Sequence, residues 1–166
     1  MAKVSLIILT EPRSAAAEAY RSLRTNLMFA SVERPIETLL ITSSAQSEDK
    51  SIVLANLAVT FAQAGNKTII VDSDLRRPAQ HEIWGIPNER GLTDMILQDS
   101  AMSTPPLVAT DIPNLSILPS GKLPPVPSDV LSSAKMSEVI GVLPVSYTHL
   151  RAHETKANLV CRLLLE

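Results

Sequence analysis

The sequence predicts an α/β fold in which a mostly parallel sheet carries helices on both faces. Two aliphatic runs, 37–43 and 67–72, have the length and β-branched content of buried strands. Between them, Lys50 to Ala64 reads as a helix closed by Gly65. Strand, loop, helix and strand within about 35 residues is the length of a βαβ unit, which implies parallel strands and a right-handed crossover. Such units bind ligands at the carboxyl ends of their strands. Two polar clusters, Ser44 to Ser51 and Asp72 to Arg77, fall there.

At 166 residues and 45% hydrophobic, the chain suits one globular core and is too short for two independent domains. No run of eighteen apolar residues occurs, and the apolar stretch at the N-terminus is too short for a signal peptide, so a cytosolic location is the default expectation. The formal net charge of −2, with both signs interspersed, supplies no broad basic field and argues against nucleic acid as a partner. The single cysteine, Cys161, cannot form an internal disulfide.

The segment Val145 to Glu166 resembles a translated sequencing adapter: constant blocks at 145–155 and 159–166 flank a short variable stretch. It is therefore expected to be a non-native tail. His149, His153, Tyr147 and Cys161 are set aside as ligands or nucleophiles on that ground. The alternative is an amphipathic C-terminal helix, which the spacing of Leu159, Arg162, Leu163 and Glu166 permits.

The remaining elements follow in order. Val4 to Leu9 is an apolar run suited to a short edge strand or a packed arm, broken by Thr10 to Ser14. From Ala15 to Ser31 the pattern is helical: Ser14 caps it, Glu18 favours its first turns, and Tyr20, Leu23, Leu27 and Met28 form one apolar face. Arg21 and Arg24 lie on the other flank. Ala79 to Trp84 and Leu92 to Gln98 are short helical turns, Asp99 to Asn114 is an excursion, and Leu115 to Leu118 resumes strand character. Gly121 to Pro127 is irregular because of its prolines, and Ser128 to Ile140 restarts as an amphipathic helix.

A P-loop feeds a strand through a glycine-rich turn into a helix N-terminus, so that backbone N–H groups and the helix dipole converge on phosphate. Lys50 and Ser51 occupy the positions of its lysine and its magnesium-binding hydroxyl. The pattern G-x-x-x-x-G-K-[ST] would need glycine at Ser44 and Asp49, and neither is glycine. A carboxylate at Asp49 repels a triphosphate by roughly 1–4 kcal/mol at 4 Å, about ten- to a thousand-fold in affinity, unless it turns to solvent or a magnesium ion offsets it. About twenty residues on, Asp72 and Asp74 leave the second strand as a D-x-D pair. Carboxylates suit magnesium, which takes one or two of them and keeps water or phosphate for the rest. The plainer alternative is an Asx turn closed by an ion pair with Arg76 or Arg77.

Together the two clusters resemble the Walker A and Walker A′ motifs of the bacterial tyrosine kinases of capsule and exopolysaccharide synthesis. The second of these motifs is three aliphatic residues followed by D-x-D-x-R, matched by Asp72, Asp74 and Arg76. Glu18, Arg21 and Arg24 are similar to that family's E-x-x-R-x-x-R oligomerisation motif. Leu75 to Pro78, Gly91 to Asp94 and the proline-rich stretch Gly121 to Leu131 resemble three more of its segments.

The resemblance implies a P-loop NTPase-like domain, truncated at its C-terminus, that uses ATP and Mg2+ to phosphorylate tyrosines. Residues 1–36 would form an N-terminal arm and helix, 37–144 the truncated kinase domain and 145–166 the tail. Lys50 and Asp72 would be catalytic. Ser47, Glu48, Asp49, Lys50, Ser51, Ile52 and Arg76 would line the nucleotide, and Ser51, Asp72 and Asp74 would hold the metal. Glu18, Arg21 and Arg24 would join subunits of a homo-oligomer, unless Glu18 and Arg21 simply form an i,i+3 pair on a solvated flank. A transmembrane polysaccharide co-polymerase would be the activator, keeping the kinase at the inner face of the cell membrane.

Neither a Walker B run ending in D-x-x-P nor a C-terminal tyrosine cluster follows Ile140, so the isolated chain is expected to be inactive. Two alternatives stand beside the kinase. One is a degenerate, non-catalytic P-loop scaffold of the polysaccharide machinery. The other is a partition- or septum-type ATPase switch, which should carry an early P-loop lysine that residues 44–49 lack.

Overall fold

A computed structural model of the chain describes residues 5–30, 36, 38–42, 49–149 and 158–162, with 99, 144–149 and 158–162 described as backbone. The strands are β1 (Thr38–Ile41), β2 (Thr68–Asp72), β3 (Val108–Ala109), β4 (Leu115–Leu118) and β5 (Asn158–Arg162). They form one five-stranded sheet in the order β1-β5-β2-β4-β3, parallel except for the β3–β4 pair. The helices are α1 (Ile7–Thr10), α2 (Ala15–Ala30), α3 (Lys50–Gln63), α4 (Gln80–Trp84), α5 (Leu92–Leu97), α6 (Asp99–Ser103), α7 (Pro127–Leu131) and α8 (Ala134–His149).

β2 shows why both faces are covered. All five of its residues are buried, as a near-continuous aliphatic run in a parallel strand requires. Alternation sends Ile70 to one core with Leu57, Phe61, Ile83 and Ile117, and Ile69 and Val71 to another with Leu75, Met95, Val139 and Leu143. α1 to α4 build the first layer and α5 to α8 the second. The two cores account for the predicted architecture, and place the carboxyl ends of β1 and β2 on one rim.

Several boundaries differ from the sequence reading. Residues 7–10 are a turn of helix, and Leu6 and Ile8 are buried against α3, so of the two expectations for this run the packed arm holds. Asn56, itself buried, fixes the arm: its Oδ1 accepts the Ile8 N–H at 3.1 Å and its Nδ2 donates to the Ile52 carbonyl at 2.9 Å. On α2 the Ser14 hydroxyl accepts the Ala17 N–H at 3.2 Å, the expected cap. The apolar face is shifted, however. Ala17, Tyr20 and Leu27 face the core, whereas Leu23 and Met28 are exposed.

The other differences are local. β1 is half exposed, with Leu40 at 53%, because within the described sheet it is an edge strand. The predicted helix over 128–140 is split into α7 and α8 at Ser132–Ser133, where the Ser133 hydroxyl donates to the Val130 carbonyl at 2.7 Å and caps Met136. Within the excursion 99–114 lie α6 and β3, too short for a periodic signal. Residues 158–162 are a parallel strand between β1 and β2, not a helix.

Two glycine motifs meet at the carboxyl end of β4. Leu92 and Thr93 donate backbone N–H bonds to the carbonyls of Pro119 and Ser120 at 2.8 and 3.0 Å. A Cβ on Gly91 would stand 2.0 Å from the Pro119 oxygen, so only glycine fits. Gly121, at φ +76°, gives its N–H to Asn88 Oδ1 at 2.9 Å.

Candidate functional site

The site is built where α3 begins beside the exit of β2. Lys50 is the first residue of α3 and is only 7% exposed. Asp72 ends β2 at 4% exposure, and Asp74 follows in a turn secured by the Leu75 N–H bond to the Ser73 carbonyl, with Leu75 buried in the core below. Lys50 Nζ lies 3.9 Å from Asp74 Oδ2, and Asp72 joins them through its Oδ1, which accepts the Asp74 N–H. One cation thus stands beside two buried carboxylates.

Each carboxylate is held by backbone donors. Asp72 Oδ2 accepts the N–H groups of Ala79 and Gln80 at 3.1 and 2.9 Å, and its Oδ1 that of Asp74 at 3.3 Å. Asp74 Oδ1 accepts the N–H groups of Arg76 and Arg77 at 3.2 and 2.9 Å. The Asx turn weighed in the sequence is therefore present, but the charge opposite Asp74 is Lys50. Burial pushes the Asp72 carboxyl up to about 6. The three backbone donors pull it back, and the Asp74 charge adds to the rise.

The candidate residues are placed unevenly. Lys50, Asp72 and Asp74 come together, and the Ser51 carbonyl joins them through the Gln80 Nε2–H, at 2.9 Å. Ile52 is half-buried in the first turn of α3. Arg76 bonds Asp74 through its backbone while the residue is exposed. Asp49 is exposed and makes no capping bond to α3, the orientation that weakens its repulsion of an incoming anion. Its charge reaches Tyr20, whose phenol is raised first by burial and then by Asp49. Ser44, Ser47 and Glu48 lie outside the described residues.

Glu18, Arg21 and Arg24 sit apart on α2. Arg21 pairs with Glu18 at 3.1 Å and donates to the Pro12 carbonyl at 2.6 Å. Arg24 turns inward and donates to the Thr60 carbonyl of α3 at 2.9 Å, so it belongs to the packed face of the helix rather than to the opposite flank.

Sequence reasoning missed Gln80. Its environment depends on a contact between α3 and α4 that no local pattern announces.

The donor set fits magnesium. Two carboxylates beside a serine at a helix start match an ion that takes one or two protein carboxylates and completes its shell with water and phosphate. Among the described residues no group of three or more His, Cys, Asp or Glu side chains gathers, so a cage made wholly of such side chains is not what this rim offers.

Comparison with known proteins decides the kinship. The chain is 41% identical over 138 residues to CapB of Staphylococcus aureus, covering 83% of this chain and 60% of that protein. It is 43% identical over 135 residues to the tyrosine-protein kinase YwqD of Bacillus subtilis, covering 81% and 56%. The chain is homologous to the bacterial tyrosine kinases. Their P-loop kinase fold is also the fold seen here: the kinase domain of the Escherichia coli tyrosine kinase ETK superposes with a TM-score of 0.82 at 25% identity, over 98% of this chain and 60% of that domain. No protein-family model matches the chain. The bacterial tyrosine kinase homologue thus spans between half and two thirds of the curated relatives it matches.

Proposed function

We propose that the protein to which this chain belongs is an ATP- and magnesium-dependent protein-tyrosine autokinase that regulates the polymerisation and export of capsular or exopolysaccharide. The observation that carries the reading is the convergence of Lys50, Asp72 and Asp74 at the N-terminus of α3, in a homologue of tyrosine kinases.

Lys50 would place its ammonium on the β/γ-phosphates, supported by the first-turn N–H groups of α3, while Ser51, Asp72 and Asp74 would hold Mg2+. The ion would neutralise phosphate charge during transfer. Asp74 Oδ2 faces Lys50, whereas both oxygens of Asp72 already accept backbone N–H bonds, which fixes their direction. Asp72 would lie beside the metal and the attacking tyrosine hydroxyl. Glu18, exposed on α2, and the half-buried Arg21 would bind a neighbouring subunit, and Arg24 would set the angle of α2 on α3. The activator would be a transmembrane polysaccharide co-polymerase that keeps the kinase at the inner face of the membrane. Residues 145–166 are read as an adapter-derived tail.

The test uses the complete gene product, with and without its co-polymerase, incubated with γ-labelled ATP and Mg2+. Phosphotyrosine should appear and be lost in Lys50→Met. If Asp49→Gly creates Mg–ATP binding that the parent lacks, and the parent forms no phosphotyrosine, the non-catalytic scaffold is the correct reading.

A further inference from the structure

Gln80 is 1% exposed, and both polar atoms of its side chain are bonded. Its Nε2 donates to the Ser51 carbonyl in the first turn of α3 at 2.9 Å. Its Oε1 accepts the Trp84 indole N–H at 3.0 Å, and its backbone N–H goes to Asp72 Oδ2 at 2.9 Å. An indole nitrogen can only donate and a carbonyl can only accept, so these two partners dictate which way the amide points. One side chain thereby ties the start of the phosphate helix to the second carboxylate, and an indole one helical turn further along α4 locks it.

We infer that Gln80 is a positioning residue for nucleotide binding: it sets the distance between the Lys50–Ser51 turn and the Asp72–Asp74 pair. This rests on the reading of the site as a Mg–ATP site. A site that holds phosphate on one element and metal on another works only if their separation is fixed to a fraction of an ångström. α3 and the β2 exit are separate segments. Lys50 approaches Asp74 at 3.9 Å, and Gln80 ties the Ser51 carbonyl to Asp72 through its side-chain Nε2 and its backbone N–H. Lys50 must turn to phosphate when nucleotide binds, which loosens its hold on Asp74 and leaves the amide as the fixed strut. The bond is made to a main-chain carbonyl, so it constrains the backbone of Ser51 and leaves the hydroxyl free for ligand.

The experiment measures Mg–ATP binding and magnesium-free ATP binding to the complete gene product by titration calorimetry, below the unfolding temperature of every variant. Gln80→Glu keeps the shape and the acceptor for Trp84 but sets a carboxylate oxygen against the Ser51 carbonyl. Trp84→Phe leaves Gln80 intact and removes only the lock. Gln80→Glu should weaken Mg–ATP binding by about tenfold or more, the loss of one buried hydrogen bond and its replacement by repulsion. Trp84→Phe should weaken it in the same direction by a smaller factor. Magnesium-free ATP should bind the parent and Trp84→Phe alike, which a general loss of fold would not permit. Equal Mg–ATP binding by the parent and Gln80→Glu would overturn the role of Gln80 while leaving the site standing. If the parent binds no Mg–ATP, the reading of the site falls and this inference with it.

Discussion

At Asp72, burial and hydrogen bonding pull in opposite directions. Desolvation wins and holds the carboxyl near 6 against an ordinary 3.8, so between those values the folded protein keeps a proton that the unfolded chain releases. Stability from this group therefore falls as pH rises through the window and stays low above it. Asp72→Asn cannot ionise and escapes that loss. In chelator, its urea-measured stability relative to the parent should improve by up to roughly 3 kcal/mol from pH 4 to pH 7; parallel curves would show that Asp72 is not strained by its burial. Gly91 gives a second prediction of opposite kind. A methyl there meets the Pro119 oxygen and the Gly121 nitrogen, both backbone, so Gly91→Ala should destabilise the fold by about 3 kcal/mol or more in a denaturant titration.

The residue scale also shows what the sequence makes legible. Lys50, Asp72 and Asp74 were readable because strand exits and helix starts are local patterns, and a βαβ unit brings them to one rim. Gln80 was not, because its partners lie 29 residues back and four residues on, and only packing selects the pair. Nor was the inward turn of Arg24, since helical spacing places it on a flank but cannot show that the Thr60 carbonyl is within reach.

Among the elements, α3 carries most of the organisation. One end presents Lys50 and Ser51, its middle fills the core with Leu54, Leu57, Val59 and Phe61, and its side holds α1 and α2 through Asn56 and Arg24. These ties run from the arm to the helix that begins at Lys50, so loosening them should be felt at both. Asn56→Ala leaves the Ile8 N–H buried without its acceptor, at a cost of about 1–3 kcal/mol. Amide exchange at Ile8 should accelerate in that variant while exchange in β2 keeps its rank order; unchanged exchange at Ile8 would mean the arm is held by apolar packing alone. Element type was legible wherever a run was long, as in α2, α3 and β2. It was not legible in α6 and β3, which are too short to show a period, or at Ser132–Ser133, where side-chain bonding to the backbone stops one helix and starts the next.

Over the whole molecule, the sheet is held together by β5, which pairs with both β1 and β2. A gap between two parallel strands accepts any extended apolar segment of adequate length, because the ladder is made by backbone and the faces ask only for apolar side chains. Leu-Val-Cys within Asn158–Arg162 meets that requirement whatever its origin. Deleting residues 158–162 should expose two unpaired edges and increase aggregation relative to the parent by light scattering; a deletion variant with unchanged scattering and stability would show that β5 does not hold the sheet. The genomic sequence past Pro144 tests the adapter reading separately, since natural continuation into Val145 to Glu166 would refute it.

The central claim is that the rim formed by Lys50, Asp72 and Asp74 binds Mg–ATP despite the missing glycines. The most direct measurement is equilibrium Mg–ATP binding by the complete gene product, with Lys50→Met and Asp49→Gly beside it. Binding should be saturable, abolished by Lys50→Met, and tightened by about tenfold in Asp49→Gly as the exposed carboxylate is removed. Binding that ignores Lys50→Met, or no binding by the parent, would contradict the claim.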